Sequence, residues 1–501
     1  MNQTTSVPEA SSLANRAMMA VALLIGFYLL AFGIAGVLLY IPYAGIMYAG
    51  RINIQLSIFC VIGAVVILWS LIPRREKFVA PGPLLTEKDH PRLFKEIRDI
   101  ADATRQEMPS EVYLVAEPNA WVMDRKNFLG LGTTRVMGIG LALMQLLDTD
   151  QLRAVLAHEF GHFHSGDTKL GPWVYKTRAL IGRTLHGLSG HSSLLQRPFI
   201  WYGNAFLRIT HSVSRQQEYT ADALAATIVG PAPLIGGLKL VSSGAPAFDG
   251  YWQSEMRYIL GSGYLPPIME GFCMYMSAPS VSNILSRYAE EELARAKTNP
   301  YDTHPSLPER IAALQRYPEK KRSENPTAPS ISLLNNIDEL EKQLLITLAG
   351  SEPVGKLVPI TWAEAAEKVW IPQWKENVGK AREAMAGITP EMLPDIVNDR
   401  RRFASILKDG NGNWIPQEHQ VPYLASLFGS AVALALLEEG WNVHAVPGED
   451  VALKKGDRII ASFFTMIQKF AGEPGEETSK AAEEWRALCR ELNISVIDLG
   501  K

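Results

Sequence analysis

Cysteine is nearly absent from this chain: three residues in 501, at Cys60, Cys273 and Cys489, far apart and in no paired spacing. That excludes a disulfide framework and a thiolate metal site, and each is read as a small buried hydrophobe in a reducing compartment. An excess of charge of either sign is missing as well. Lysine and arginine total 49 against 52 acidic residues, a net charge of −3. Such a balance offers no basic field for nucleic acid, so no nucleic-acid partner is expected. Charge is also missing locally. No charged side chain stands between Ala17 and Gly50, and none between Ile52 and Pro73.

Those two uncharged runs set the compartment. Ala17–Tyr40 alone is 24 residues long, enough to cross about 30 Å of hydrocarbon as a helix. A cleaved signal peptide would be shorter and would not be followed at once by a second apolar run. Two membrane helices over 17–73 are expected, after a disordered tail over 1–16. Arg16 precedes the first helix, Arg74, Arg75 and Lys77 follow the second, and only Arg51 lies between them. The positive-inside rule then places the N-terminus and everything after residue 74 in the cytoplasm. The expected protein is integral to a plasma or inner membrane, multi-pass, with the lipid bilayer as a partner.

The remaining chain is organised around Leu152–Gly166, LRAVLAHEFGHFHSG. His158 and His162 are four residues apart, one helical turn, so both imidazoles share a face and can bind one metal ion. Helix signals surround them. Asp148 and Gln151 have capping-box spacing, Gly166 is a stop, and Leu152, Leu156, Phe160 and Phe163 form an apolar stripe. Glu159 lies at the edge of the histidine face, placed to take a proton from a metal-bound water without being a ligand.

A catalytic zinc takes three protein ligands, so a third is sought downstream. Ser214–Ala226, SRQQEYTADALAA, places Glu218 and Asp222 on one helix face, among alanines that permit close approach to another helix. Glu218 would complete a His₂Glu site, and Asp222 could orient a ligand histidine by a hydrogen bond. His164 and Asp167 are alternatives at or beyond the end of the histidine helix. Upstream, Glu111–Ala116 and Arg135–Ile139 read as strands. They are read either as a sheet edge on which an extended peptide could pair or as ordinary sheet packing.

HEFGH together with SRQQEYTADALAA resembles the membrane-bound zinc metallopeptidases that include the HtpX heat-shock proteases and the CAAX prenyl endopeptidases, which share the gluzincin pattern. The resemblance runs from about residue 75 to 316. It implies one Zn²⁺ per chain held by His158, His162 and Glu218, with Glu159 as general base, Asp222 behind the ligands, and protein or peptide substrates. Asn119-Ala120-Trp121 resembles a stretch preceding the zinc helix in that family and is assigned to substrate binding. Thr303-His304-Pro305-Ser306 with Arg310 resembles its downstream motif, which implies His304 beside the active site. Read from the residues, His304 precedes a proline on an extended turn and could stabilise an oxyanion, while Arg310 could pair with Glu218 or Asp222. Relatives of the HtpX kind carry further spans between the histidines and the glutamate. Here Leu170–Val213 is broken by Lys176, Arg178, Arg183, Arg197 and Arg208, and its most apolar uncharged stretch, Pro198–Leu207, is about ten residues, too short to span. An interfacial segment, a lid and core packing are the three readings left.

The fold expected is α+β, mainly α. It has two transmembrane helices, a zinc-peptidase domain with a small sheet over 79–318, a linker over 319–330, and a helical domain of unknown role over 331–501. The activity expected is zinc-dependent endopeptidase action in membrane protein quality control. A specific processing protease for a lipidated or membrane precursor is the enzymatic alternative. A membrane-anchored scaffold with a structural metal site is the non-enzymatic one. No oligomeric state is legible.

Overall fold

The structure, a computed structural model, describes residues 11–50, 52–72, 78–126, 133–164, 171–190, 193–294, 302, 304–320, 328–399, 402–408, 413–461, 463–472, 475–495 and 498–499. Arg51, Arg74, Arg75 and Lys77, which carry the orientation argument, lie outside the described residues, as do Gly166, Asp167, Thr303 and residues 1–10 and 410–412. Two compact units are present, Met1–Gly244 with Tyr288–Thr347, and Ala245–Arg287 with Leu348–Lys501.

The first unit runs α1 (Ser11–Ala49), α2 (Ile54–Ser70), β1 (Leu84–Leu85), α3 (Pro91–Thr104), β2 (Glu111–Val115), β3 (Ala120–Lys126), β4 (Thr133–Gly140), α4 (Leu141–Leu146), α5 (Thr149–His164), α6 (Gly171–Leu188), α7 (Ser193–Ile228) and the part of α8 (Pro231–Tyr251) up to Gly244. α1 starts at Ser11, so residues 11–16 are helical rather than a disordered tail. Val21–Tyr48 is long and apolar enough to cross a membrane, and α2 is a shorter apolar helix. Leu29, Phe32, Val37 and Tyr48 of α1 and Ile54, Ile58, Val65 and Trp69 of α2 are exposed. Apolar exposure on that scale marks lipid or protein contact rather than water.

In the segment before Ser214 one face packs inward while Ile200 and Trp201 are exposed. Phe199 and Phe206 of α7 and Leu180 of α6 are buried with Phe27, Ala31 and Ile67 of α1 and α2. The Ser70 and Thr184 hydroxyls bond across α2 and α6 at 2.7 Å.

The sheet has the order β1-β2-β4-β3, with β2 parallel to β4 and β3 antiparallel to it. β3 is therefore an edge strand, and it was not among the strands expected. α5 begins with the expected capping box: Gln151 N–H donates to Asp148 Oδ1 at 2.8 Å, and Asp148 N–H to Gln151 Oε1 at 3.0 Å. Its stripe of Leu152, Leu156, Phe160 and Phe163 is buried, which fixes the rotation of the helix about its axis.

The units do not part at 319–330. Ser330 Oγ donates to the Met144 carbonyl at 2.8 Å, and Asn335 N–H donates to His90 Nδ1 at 3.2 Å, so the chain to Thr347 stays on the first unit. In the second unit Tyr264 and Leu265 pair with Val358 and Pro359. Its core gathers Trp374, Phe403, Phe428, Phe463 and Trp485 around the helix Gln417–Glu438. That helix is apolar enough to span a bilayer but is largely buried here. The unit expected to be helical also holds a three-stranded antiparallel sheet, Asn442–His444, Ala452–Lys455 and Arg458–Ile460. Cys60 and Cys489 are buried as expected, whereas Cys273 is exposed.

Candidate metal centre

α5 and α7 build the site by crossing very closely. A Cβ placed on Gly161 would lie 2.8 Å from the Ala221 Cα, so neither helix could carry a larger side chain there. Ala221 and Ala225 are fully buried. The crossing brings His158, His162 and Glu218 together, with one ligand atom of each within 4.8 Å of the others. His158 Nε2 is 3.5 Å from Glu218 Oε2, and His162 Nε2 is 3.6 Å from Glu218 Oε1. The imidazole rings stand edge to face at 4.9 Å, both turned toward the carboxylate.

Behind these three groups lies a buried ionic layer. Asp222 Oδ1 is 2.9 Å from His158 Nδ1, on the side of the ring away from Glu218. Arg310, on the helix Leu307–Leu314, donates to Asp222 through Nε at 2.8 Å and Nη2 at 2.6 Å. Its Nη1 lies 3.5 Å from Glu218. Pro308 suits the first turn of that helix, because proline lacks the N–H that would have no helical partner there. His304, on the bend before it, reaches Glu218 Oε1 through Nδ1 at 3.1 Å and is otherwise exposed.

The charges follow from this packing. Burial pushes His158 down, but Asp222 and Glu218 outweigh it and hold the imidazole up at about 9. Burial, aided by the charge on His158, takes His162 down to about 4. Burial raises the Glu159 carboxyl to about 7. Burial opposes ionisation of Glu218 too, yet His158 and His304 hold it far below the usual carboxylate range. Asp222 is depressed in the same way, against burial, by His158 and Arg310.

The donors fit a divalent cation. Two imidazole nitrogens and a carboxylate oxygen converge, and Glu218 Oε2 is buried with no hydrogen-bond donor in line. A buried carboxylate oxygen left so is costly unless something else satisfies it.

The structure brings seven sequence-derived residues together: His158, Glu159, His162, Glu218, Asp222, His304 and Arg310. Ala120 and Trp121 begin the neighbouring edge strand β3, and Asn119 immediately precedes it. Asn119 Oδ1 accepts the Ala120 N–H at 2.9 Å, Ala120 is buried against Leu143 and Leu147, and the Trp121 ring covers Gly138 of β4. Of the alternative ligands, His164 ends α5 and Asp167 lies outside the described residues. The sequence reading passed over Gly161. Its signal was present, a glycine between the histidines matched by small residues around Glu218, but no pattern said which two would touch.

Comparison with known proteins agrees with this geometry. Residues 87–317 match the model of peptidase family M48. Protease HtpX of Idiomarina loihiensis is 27% identical over 219 residues, covering 38% of this chain and 73% of that protein. A Protease HtpX homolog of Tropheryma whipplei is 27% identical over 188 residues, 32% of this chain and 60% of its own length. Protease HtpX homolog 1 of Saccharolobus solfataricus is 29% identical over 148 residues, 28% and 45% respectively. No solved structure matches. The matches leave most of the second unit uncovered. With a histidine-histidine-glutamate cluster at its centre, the segment 87–317 is similar to peptidase family M48 and to the HtpX proteases.

Proposed function

We propose that the protein is a membrane-anchored zinc endopeptidase whose site is the α5–α7 crossing. The observation that carries the reading is the convergence of His158, His162 and Glu218 on one point, backed by the buried Asp222–Arg310 pair. Two nitrogens and one carboxylate oxygen match the ligand set of a catalytic zinc, which keeps a fourth position for water or substrate. Bound there, zinc would supply a Lewis acid and lower the pKa of the attacking water.

The chain's own residues then have distinct tasks. Glu159, with its carboxyl raised toward neutrality, accepts the proton of the attacking water and returns it to the leaving amine. Asp222 fixes the orientation of His158, and Arg310 neutralises Asp222. His304, exposed on its bend, is free to turn from Glu218 toward a developing oxyanion. A substrate would add as an extended strand to the free edge of β3, reading backbone rather than side chains. The Trp121 ring is already committed to Gly138, so this stretch would contact peptide mainly through its main chain.

Arg16 and the basic cluster at 74–77 support two N-terminal spans with the catalytic unit on the cytoplasmic side. Anchorage beside the bilayer favours membrane proteins as substrates, and hence quality control. The test is hydrolysis of unfolded casein by detergent-solubilised protein, with zinc determined in parallel. Wild type is expected to cut and to hold one zinc, and Glu159→Gln to hold zinc without cutting. Metal-free wild type would overturn the assignment of the centre. A mutant that still cuts would overturn the role of Glu159.

A further inference from the structure

The second unit contains a cavity of about 270 Å³ whose composition calls for a ligand. Its walls include Trp362, Trp370, Trp374 and Phe464, and its charged groups are Glu255, Glu449 and Asp450. Among the described residues, no lysine, arginine or histidine lines it. Trp374 and Phe464 stand 5.9 Å apart at 44°, so two ring faces meet at an angle rather than stacking flat. Trp362 spends its indole N–H on the Pro267 carbonyl at 2.8 Å, leaving ring surface and not a donor for the cavity.

Two helices widen where they meet this space. In one, Arg257 N–H bonds back to the Trp252 carbonyl, and in the other, Ile371 N–H bonds back to the Ala366 carbonyl, five residues each. Such π-bulges weaken a helix locally and recur at functional sites. The first carries Glu255 and the second Trp370, so both distortions serve the same cavity.

Glu255 accepts the Gly448 N–H at 3.3 Å and a hydrogen bond from Ser254, and burial raises its carboxyl. It forms no ion pair among the described residues. Glu255 is part-buried, and without a cation beside it the carboxylate leaves negative potential on the cavity. Asp450, held by the Thr465 hydroxyl at 2.8 Å, and the exposed Glu449 add negative potential at the rim.

We infer that this cavity binds an alkylated ammonium group, with the aromatic faces around the alkyl substituents and Glu255 opposite the charge. A hard metal ion would need several oxygen donors close together, and indole rings supply none. A neutral apolar ligand would have no use for three carboxylates. A weakly hydrated organic cation satisfies both features, because ring faces and carboxylates attract the same charge.

The test uses the full chain in detergent and choline as probe, followed by saturation transfer from protein to the N-methyl protons. Saturable binding is expected, with 3,3-dimethylbutan-1-ol, the uncharged isostere, binding about tenfold more weakly or worse. Glu255→Gln and Trp370→Leu, on opposite bulges, should each weaken choline about tenfold while near-ultraviolet circular dichroism stays native. Equal binding of choline and its neutral isostere would overturn the inference, as would undiminished binding in both variants or no saturable binding by wild type. Nanodiscs then identify the source of the group. Choline uptake reduced in phosphatidylcholine relative to phosphatidylglycerol discs supports a lipid headgroup as occupant, and equal uptake supports a soluble cation.

Discussion

Gly161 and Ala221 touch where α5 crosses α7, with room at Gly161 for a hydrogen atom and nothing more. This contact sets the distance between the helix that carries two histidines and the helix that carries the glutamate. Gly161→Ala is therefore expected to wedge the helices apart. Overpacking of this kind costs about 1–3 kcal/mol, and the ligand atoms separate with it. Zinc content and the thermal midpoint should both fall, and further for Gly161→Val. A Gly161→Ala protein with full metal occupancy and an unchanged midpoint would show that the crossing does not set the site.

Arg310 is buried with both of its donating edges on Asp222. Removing it leaves a buried carboxylate uncompensated, a loss of about 3–5 kcal/mol where such pairs are broken. Arg310→Ala should lower the denaturation midpoint by much more than the charge-removing double variant Arg310→Met with Asp222→Asn, in which no orphan charge remains. Equal losses in the two proteins would mean that packing, not charge compensation, is what Arg310 contributes.

The Glu159 carboxyl, raised by burial to about 7, gives a pH dependence with a definite sign. Only the ionised form can accept a proton, so activity rises with pH and levels off above the pKa. A bound divalent cation favours the carboxylate, so the acid limb of kcat/KM is expected at or below about pH 7 with a slope of one. Glu159→Gln should be inactive across the whole range. A residual, pH-dependent activity in that variant would assign the limb to another group.

Metal binding should release protons, and the source can be named. In the metal-free protein His158 titrates at about 9 and His162 at about 4, so at pH 8 His158 carries a proton that a cation must displace while His162 carries none. Asp222 is the first of the groups that raise His158. Zinc titration calorimetry at pH 8, repeated in buffers of different ionisation enthalpy, should therefore show about one proton fewer released by Asp222→Asn than by wild type. The same count in both would place the displaced proton elsewhere.

Much of the molecule was legible in advance because its signals are local. The period of Leu152, Leu156, Phe160 and Phe163 and the pairing of Asp148 with Gln151 are properties of one helix, and α5 forms where they put it. His158 and His162 share a face for the same reason. The strands of Glu111–Val115 and Thr133–Gly140 were visible in their β-branched residues, but β3 was not. Ala120-Trp121-Val122 has no strand period of its own and becomes strand through pairing with β4, whose Gly138 leaves room for the Trp121 ring.

By itself, then, the amino-acid sequence determined the identities of the three groups that converge at the centre, the helix that carries two of them, and the apolar N-terminal helices. Each follows from contacts a few residues apart. Tertiary structure decided which carboxylate faces which histidine, that Arg310 closes on Asp222 from 88 positions away, and that α6 and the start of α7 pack on α1 and α2. It also decided that residues 328–347 stay with the first unit and that Trp370 and Glu255 share one cavity. These relations depend on which surfaces of separate elements fit together, and burial of apolar area rewards the fit without writing it into any one segment.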